Sequence, residues 1–372
     1  MRVSSKSIDG DIQVFINGNP IARWSGDRIE ASGELGACTA LLPALMSDDP
    51  KLEIEGGITV ALADNLETLQ DVYCRWWQET SRVEVVAEQQ TFMVGNRTVV
   101  FFSGGVDSFH AALKHRNEIE QLIYVEGFDI QHDKPNLRKQ VRETLARTAR
   151  SLEIPLTILR TDLRQWSDRK VDWPRYHGAA LASAAHLLRG SIDRAIVPSS
   201  TTYDDLFPWG SHPLTDPLWT GAVELVHSGC EATRPEKIAA IAEEATARKA
   251  LRVCWENPGE AYNCGVCEKC LRTMTTLAAF GILGGFEMFP NTLTAENVLR
   301  LQMHPATAKF AEENIELLGQ QRVRADLQAA WGQALEGRSL RHRIQQKHQL
   351  PRRQLLRAKR YVSRRIAIRK WR

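Results

Sequence analysis

The chain has no run of 18 apolar residues, the length a helix needs to span a bilayer. Its opening, Met1-Arg2-Val3-Ser4-Ser5-Lys6-Ser7, lacks the apolar core of a secretory signal. These two absences predict a cytoplasmic protein without a transmembrane segment. Cysteine is scarce, with seven in 372 residues. Without an export signal, so few thiols predict metal ligands or free thiols and exclude a disulfide framework. The pattern Gly-x4-Gly-Lys-Ser/Thr is absent, which excludes the common P-loop. Acidic residues are missing from 338–372, where fourteen of the 48 Lys and Arg lie. Residues 1–337 then hold 34 basic against 45 acidic residues, a net −11. The body is acidic and the tail basic. What remains is an ordinary composition, 43% hydrophobic and 25% charged, long enough for one large domain with an appendage or for two domains.

The most informative stretch is Phe101-Phe102-Ser103-Gly104-Gly105-Val106-Asp107-Ser108. It follows the β-branched run Thr98-Val99-Val100 and precedes a helical pattern, so it predicts strand, glycine turn, helix. Two adjacent glycines let the backbone fold back and leave main-chain N–H groups open to a ligand. A helix starting near Asp107 aims its free N–H groups and positive dipole end at the same place. Together these make an anion cradle, and phosphate is the usual guest.

Residues 1–96 predict a separate small α+β module. Ile12–Ile16 and Ile21–Trp24 alternate around Asn17-Gly18, a hairpin signal. Leu52–Glu55 and Ile58–Ala61 flank Gly56-Gly57 in the same style, and Val83–Val86 and Thr91–Val94 look like two more strands. Helical spacing runs from Asn65 to Thr80, with Asp64 as N-cap. Trp76 and Trp77 suit core and edge packing, and Cys38 and Cys74 have no metal spacing.

From residue 97 strand and helix alternate. The expected strands are Val99–Phe102, Leu122–Val125, Leu156–Leu159, Ala195–Pro198 and Leu251–Cys254. The expected helices are Phe109–Glu118, Leu137–Ser151, Gly178–Leu188 and Glu236–Lys249. The fold class is α/β, a parallel sheet with helices on both faces. Gly178–Leu188 is apolar nearly all round and should be deeply buried. Ligands of such sheets sit beyond the carboxyl ends of the strands, where the diglycine loop lies. Three other loops leave strand ends on that side. They begin at Glu126-Gly127-Phe128-Asp129, at Thr161-Asp162-Leu163-Arg164, and at Ser199 running on to Asp216. The last, polar and carrying Tyr203, Asp204, Asp205, His212 and Asp216, is the candidate substrate loop. The segment Trp173–His177 serves equally as a capping segment or a substrate contact.

Cys254-x9-Cys264-x2-Cys267-x2-Cys270 is the second strong signal. Four thiolates with two tight spacings can wrap one tetrahedral zinc ion, and no ligand position stays open, so the ion is expected to be structural. An iron–sulfur cluster is the alternative. Arg252, Lys269 and Arg272 are near enough in sequence to offset the thiolate charge.

The signature Ser103-Gly104-Gly105-Val106-Asp107-Ser108 resembles the PP-loop of the ATP pyrophosphatase superfamily. The resemblance implies a Rossmann-like fold and a loop that holds the β- and γ-phosphates of ATP while the α-phosphate is attacked. It also implies that the end of the second strand, here Gly127 and Phe128, lines the adenine, often through backbone atoms. With the four cysteines following, the chain looks similar to the 7-cyano-7-deazaguanine synthase family over roughly residues 97–285. That family uses ATP to activate a carboxylate, adds ammonia to give an amide, and dehydrates the amide to a nitrile. Three features depart from it: the first 96 residues and the basic tail, an arginine (Arg272) one position nearer the last cysteine, and a Tyr203–Asp216 loop without the family's pattern.

The implied reaction is adenylation of a substrate oxygen, most simply a carboxylate, for attack by ammonia or an amine. Ser103, Asp107 and Ser108 are the expected catalytic residues, the backbone of Gly104–Ser108 holds pyrophosphate, and Mg²⁺ offsets its charge. A tRNA-modifying enzyme acting on a base, and a non-catalytic nucleotide-binding subunit, are the alternatives. A partner protein is expected to use residues 1–96, and a homo-oligomer is expected. Helices are expected over Thr294–Gly319 and Val323–Leu335, in a helical region 291–337 after a catalytic domain of 97–290. The tail 338–372 interleaves cations with Leu355, Tyr361, Ile366 and Trp371, a pattern that suits RNA, an anionic surface or the chain's own acidic body.

Overall fold

The computed structural model describes residues 1–130, 132–303 and 307–336. The expectation for the basic tail lies outside them. Ten strands are present: β1 (Arg2–Ile8), β2 (Asp11–Ile16), β3 (Asn19–Ser25), β4 (Lys51–Ile58), β5 (Glu84–Gln89), β6 (Arg97–Phe101), β7 (Gln121–Glu126), β8 (Leu156–Thr161), β9 (Ile192–Pro198) and β10 (Glu224–Ser228). The helices are α1 (Gly33–Leu45), α2 (Val60–Trp76), α3 (Val106–Lys114), α4 (Pro135–Leu152), α5 (Leu163–Ser167), α6 (Trp173–Leu187), α7 (Arg234–Ala242), α8 (Ala245–Ala250), α9 (Glu268–Ala279), α10 (Ala295–Leu299) and α11 (Ala308–Gln321). The fold is α/β.

All ten strands form one mostly parallel sheet, in the order β10-β9-β6-β7-β8-β3-β2-β1-β4-β5. Within β10-β9-β6-β7-β8 every neighbouring pair is parallel. The chain steps from β6 outward through β7 and β8, then returns to the other side of β6 for β9 and β10. The order therefore reverses beside β6, and the loop after β6 opens at that reversal. Such points leave a crevice, because the two flanking connections run away from each other.

Local chemistry accounts for the elements the sequence announced. Asn17 and Gly18 both take positive φ in the β2–β3 hairpin. Thr59 caps α2 by accepting from the Leu62 N–H, so that helix starts earlier than the spacing alone indicated. The capping hydroxyl precludes a second strand over Ile58–Ala61, and Thr91–Val94 forms none either. Glu236–Lys249 divides into α7 and α8, and α7 opens with a reciprocal capping box between Thr233 and Glu236. Helix α6 is buried along nearly its whole length, as its composition required.

The expected boundary at residue 96 is not where the chain divides. Strand β3 pairs with β8, Trp24 opposite Thr161, so the N-terminal strands continue the same sheet. Helix α1 packs against α6, where the Tyr176 hydroxyl donates to the Thr39 carbonyl at 2.8 Å. A single hydrophobic core runs from Val3 to Leu225. Buried between these elements, His186 Nδ1 lies 2.9 Å from Glu34 Oε2, and both side chains are fully buried. His186 Nε2 also faces the Trp219 carbonyl at 2.9 Å. Burial works against the His186 cation, but Cys38 and Glu34 hold its pKa up to about 10. The chain instead divides into Met1–Gly265 with Phe280–Pro290, and Val266–Ala279 with the described residues from Asn291 onward.

In the second unit, Asn314 of α11 accepts from Thr276 of α9 at 2.8 Å and donates to the Arg272 carbonyl. The Arg272 guanidinium lies 3.8 Å above the Phe310 ring. The helix expected over Thr294–Gly319 is interrupted between α10 and α11. The sequence carries Pro305 there, which disfavours helix in the residue before it. Residues 325–336 are helical.

Candidate functional site

The carboxyl ends of β6, β7, β8, β9 and β10 share one edge of the sheet, because these strands run parallel. Four loops meet there, and the diglycine loop lies centrally. Gly104 takes φ +76°, a conformation that disfavours any side chain. Gly105 is the N-cap of α3, and no side chain caps that end. The first N–H groups of α3 therefore lack the hydroxyl or carboxylate that usually takes them, as an anion site requires. The Ser108 hydroxyl donates back to the Gly105 carbonyl at 3.0 Å, which fixes the turn, and Val106 is buried beneath it. Ser103 is half-buried, its hydroxyl oxygen 3.5 Å from where a Cβ on Gly105 would stand.

Asp107 sits in the first turn of α3 amid donors from two other elements. Ser200 Oγ lies at 3.1 Å, Arg234 Nη1 at 3.4 Å and Lys237 Nζ at 3.7 Å. Lys237 is only 1% exposed and also donates to the Ser199 carbonyl at 2.7 Å. Two cations thus flank the Asp107 carboxylate beside the diglycine loop.

A third cation approaches from the opposite flank. The Arg252 N–H donates to the Gly104 carbonyl at 2.8 Å, so Leu251–Cys254 runs against the loop. This segment is not the strand the sequence predicted. Three of its backbone groups go to one side chain: Asn263 Oδ1 accepts from Val253 and Cys254, and Asn263 Nδ2 donates to the Leu251 carbonyl. The Arg252 guanidinium is buried, with Asp129 no nearer than 3.9 Å. Its Nε and Nη2 meet no hydrogen-bond partner among the described residues. Buried donors without acceptors are uncommon, and a guanidinium is suited to bind an anionic oxygen.

At the end of β7, Gly127 takes φ +110°, and a Cβ there would stand 2.0 Å from the Thr161 carbonyl oxygen. Phe128 packs edge-on to Trp24 at 5.9 Å and against Trp173 at 5.1 Å, and its carbonyl accepts from Arg164. Its ring belongs to the core, and Gly127 is buried as well. Beside it Glu126, fully buried, is ringed by Arg138, Arg142 and Arg160. These residues and Pro135 line a depression of about 300 Å³ with an excess of two positive charges.

The long loop after β9 divides. Tyr203 is 62% exposed and lies with Asp204 and Asp205 in a single 3₁₀ turn, where Asp205 accepts from Thr202. His212 is buried against Trp76 at 4.9 Å and accepts from the Leu214 N–H, and burial holds its ring below the ordinary imidazole range. Asp216 is 1% exposed and accepts from Ser211 Oγ at 2.6 Å and from the His227 ring at 2.7 Å. His212 and Asp216 thus belong to a buried polar cluster, separate from the exposed Tyr203 turn.

The four cysteines converge as the spacing predicted. The sulfurs of Cys254, Cys264, Cys267 and Cys270 lie within 4.8 Å of one another. A tetrahedron of metal–sulfur bonds of about 2.3 Å has edges of about 3.8 Å, so small shifts bring them to ligand spacing. The Asn257 N–H donates to Cys254 Sγ at 3.3 Å, and Gly265 turns at φ +71° between two of the ligands. The donor set fits a structural metal such as zinc. No helix among the described residues is long and apolar enough to cross a membrane.

Sequence reasoning did not single out Lys237, Arg234 or His227 as site residues, and it treated Arg252 only as a charge beside the cysteines. Lys237 and Arg234 read as ordinary polar positions of an amphipathic helix, and only the tertiary fold turns them toward Asp107. In comparison with known proteins, the chain matches no family model, no curated protein and no solved structure.

Proposed function

We propose that this chain is an ATP-dependent, AMP-forming enzyme of the PP-loop kind, which adenylates a carboxylate for attack by ammonia or an amine. The observation that carries this reading is the uncapped start of α3 after Gly104-Gly105, together with Arg252, whose backbone N–H bonds the Gly104 carbonyl and whose buried guanidinium has two nitrogens without acceptors among the described residues. A triphosphate supplies the missing acceptors. The strand order supports a Rossmann-like arrangement, reversing beside the strand that ends in this loop.

In this reading the N–H groups of Gly105–Ser108 and the Arg252 guanidinium hold the β- and γ-phosphates, and Lys237 and Arg234 keep Asp107 in place. Bound Mg²⁺ supplies further charge neutralisation at the phosphates. The arginine-lined depression at Glu126 suits an anionic substrate. The protein contributes position and charge, the main terms in nucleotidyl transfer. Zinc at the four cysteines has no open position and serves the fold. The test is product analysis with candidate carboxylic acids. AMP and pyrophosphate are expected, and ADP and phosphate would refute the reading.

A further inference from the structure

Three arginines from two elements surround one carboxylate at the carboxyl edge of the sheet. Glu126 ends β7, and Arg160 stands opposite it on β8, in register across the parallel pair. Arg138 and Arg142 lie four residues apart on α4, which puts both on one face of that helix. The first turn of α4 is held from outside. Glu260 accepts from the Leu137 N–H at 2.9 Å and from Asn136 at 3.0 Å, and Lys134 donates to the carbonyls of Glu256 and Asn257. The helix end thus has its own acceptor, and the positive charge of the depression comes from side chains.

Fastening α4 to β7 uses two of these arginines. Arg138 Nη2 donates to Glu126 Oε1 at 2.5 Å and Arg142 Nη1 to Oε2 at 2.7 Å, one oxygen each. Arg160 is superfluous to that joint. Its Nε stands 3.7 Å from Oε1, beyond hydrogen-bond length, and its side chain is 56% exposed where it lines the depression. Arg138 Nε is buried without a hydrogen-bond partner among the described residues. Two residues back on the same face of β7, the Tyr124 hydroxyl also meets none, and burial keeps it a neutral donor. One carboxylate therefore neutralises one of three guanidiniums around a space of about 300 Å³. The remaining like charges repel one another until an anion enters.

We propose that this depression binds the phosphate group of a phosphorylated acceptor acid, apart from the triphosphate of the nucleotide. A phosphate monoester carries roughly two negative charges at neutral pH, which matches the excess, whereas a carboxylate carries one. Planar guanidinium forks pair with phosphate oxygens two at a time. The volume is at the low end for small-molecule sites and suits one headgroup. Strands β6, β7 and β8 are neighbours, so the depression is displaced from the diglycine loop by one to two strand spacings, about 5–10 Å. A short acid held there by its phosphate can turn its carboxylate toward the loop. The acid rests on the adenylation reading; the phosphate site rests on the depression alone.

The first test is calorimetric titration of the full chain with inorganic phosphate, after saturation with Mg²⁺ and a non-hydrolysable ATP analogue. At matched ionic strength phosphate should bind about tenfold or more tighter than acetate. Arg160→Gln, which removes no hydrogen bond to Glu126, should weaken phosphate about threefold or more, and Arg142→Gln about tenfold or more. Lys139→Gln removes the same charge from an exposed position on α4 outside the depression and should leave the affinity unchanged. Equal binding of acetate, equal losses in Lys139→Gln and Arg160→Gln, or exclusion of phosphate by the analogue overturns the assignment. If the analogue itself does not bind, the nucleotide reading fails, and titration of the free protein still decides the depression. The second test is ATP–pyrophosphate exchange. Phosphorylated acids should show a KM about tenfold below that of the same acids without phosphate, and Arg160→Gln should remove most of that advantage. Equal KM values overturn the substrate class.

Discussion

Arg252→Met separates the two roles a buried arginine can have. Burying a guanidinium is costly unless acceptors replace the lost water, and Arg252 has two nitrogens without acceptors and its nearest carboxylate at 3.9 Å. Methionine is of similar length and keeps most of the packing. The free protein should therefore lose little stability or gain some, since replacing poorly paired buried charge by apolar atoms is often neutral or favourable by about 1–4 kcal/mol. Nucleotide binding should respond in the opposite direction. A hydrogen bond to a charged group is worth about 1.5–3 kcal/mol, so losing one weakens ATP binding roughly 10- to 150-fold. Thermal melts of the free protein and calorimetric titration with ATP measure both. If ATP affinity changes less than about threefold, or if the free protein melts much earlier, Arg252 is structural and the phosphate assignment falls.

The Glu34–His186 pair sets a pH window for stability. Burial alone would raise the Glu34 pKa, but His186, Thr59 and the Ala222 N–H hold it at about 2. Burial alone would strip the proton from His186, but Cys38 and Glu34 hold it up to about 10. A raised His186 stabilises fully below its ordinary value of 6.5 and less as pH climbs toward 10, whereas a lowered Glu34 stabilises fully above 4.5 and less as pH falls toward 2. Denaturant melts should show the pair's contribution greatest between those two ordinary values, and Glu34→Gln should cost about 3–5 kcal/mol there; a flat profile would count against the ion pair. Metal analysis should find one zinc per chain, and chelation or Cys267→Ser should lower the melting temperature, whereas metal-free protein of unchanged stability would exclude a structural ion. Gly127→Ala should both destabilise the fold and abolish nucleotide binding, because its Cβ would stand 2.0 Å from the Thr161 carbonyl oxygen at a φ of +110°; a soluble, fully binding Gly127→Ala protein would show that this strand end can yield.

What was legible in the sequence was whatever the local chain decides. Asn17-Gly18 makes its own hairpin, Ser103–Ser108 makes its own turn, and an apolar α6 is buried wherever it packs. Helix α1 gave no pattern because it is buried at every position and so has no polar face to mark its period. The N-terminal region looked separate because nothing in Ile21–Trp24 announces that β3 will pair with a strand more than a hundred residues away. The Asp216–His227 contact was equally silent, since the two residues meet only after the loop from β9 folds back toward β10.

Leu251–Cys254 shows why two motifs can each be noticed in the sequence and their relation missed. Its β-branched, apolar character suggested a strand, yet its carbonyls and N–H groups are taken by the amide of Asn263, a choice no periodicity encodes. That choice keeps the segment out of the sheet and lays it against the diglycine loop, where Arg252 binds the Gly104 carbonyl. Two residues further on, Cys254 joins the metal cluster. A metal that fixes Cys254 would therefore also fix the backbone that carries Arg252 past the diglycine loop. On the proposed function, the cysteine cluster, which has no open position for chemistry of its own, governs the proposed nucleotide site through this one segment, and loss of the metal should weaken ATP binding even where the sheet stays folded.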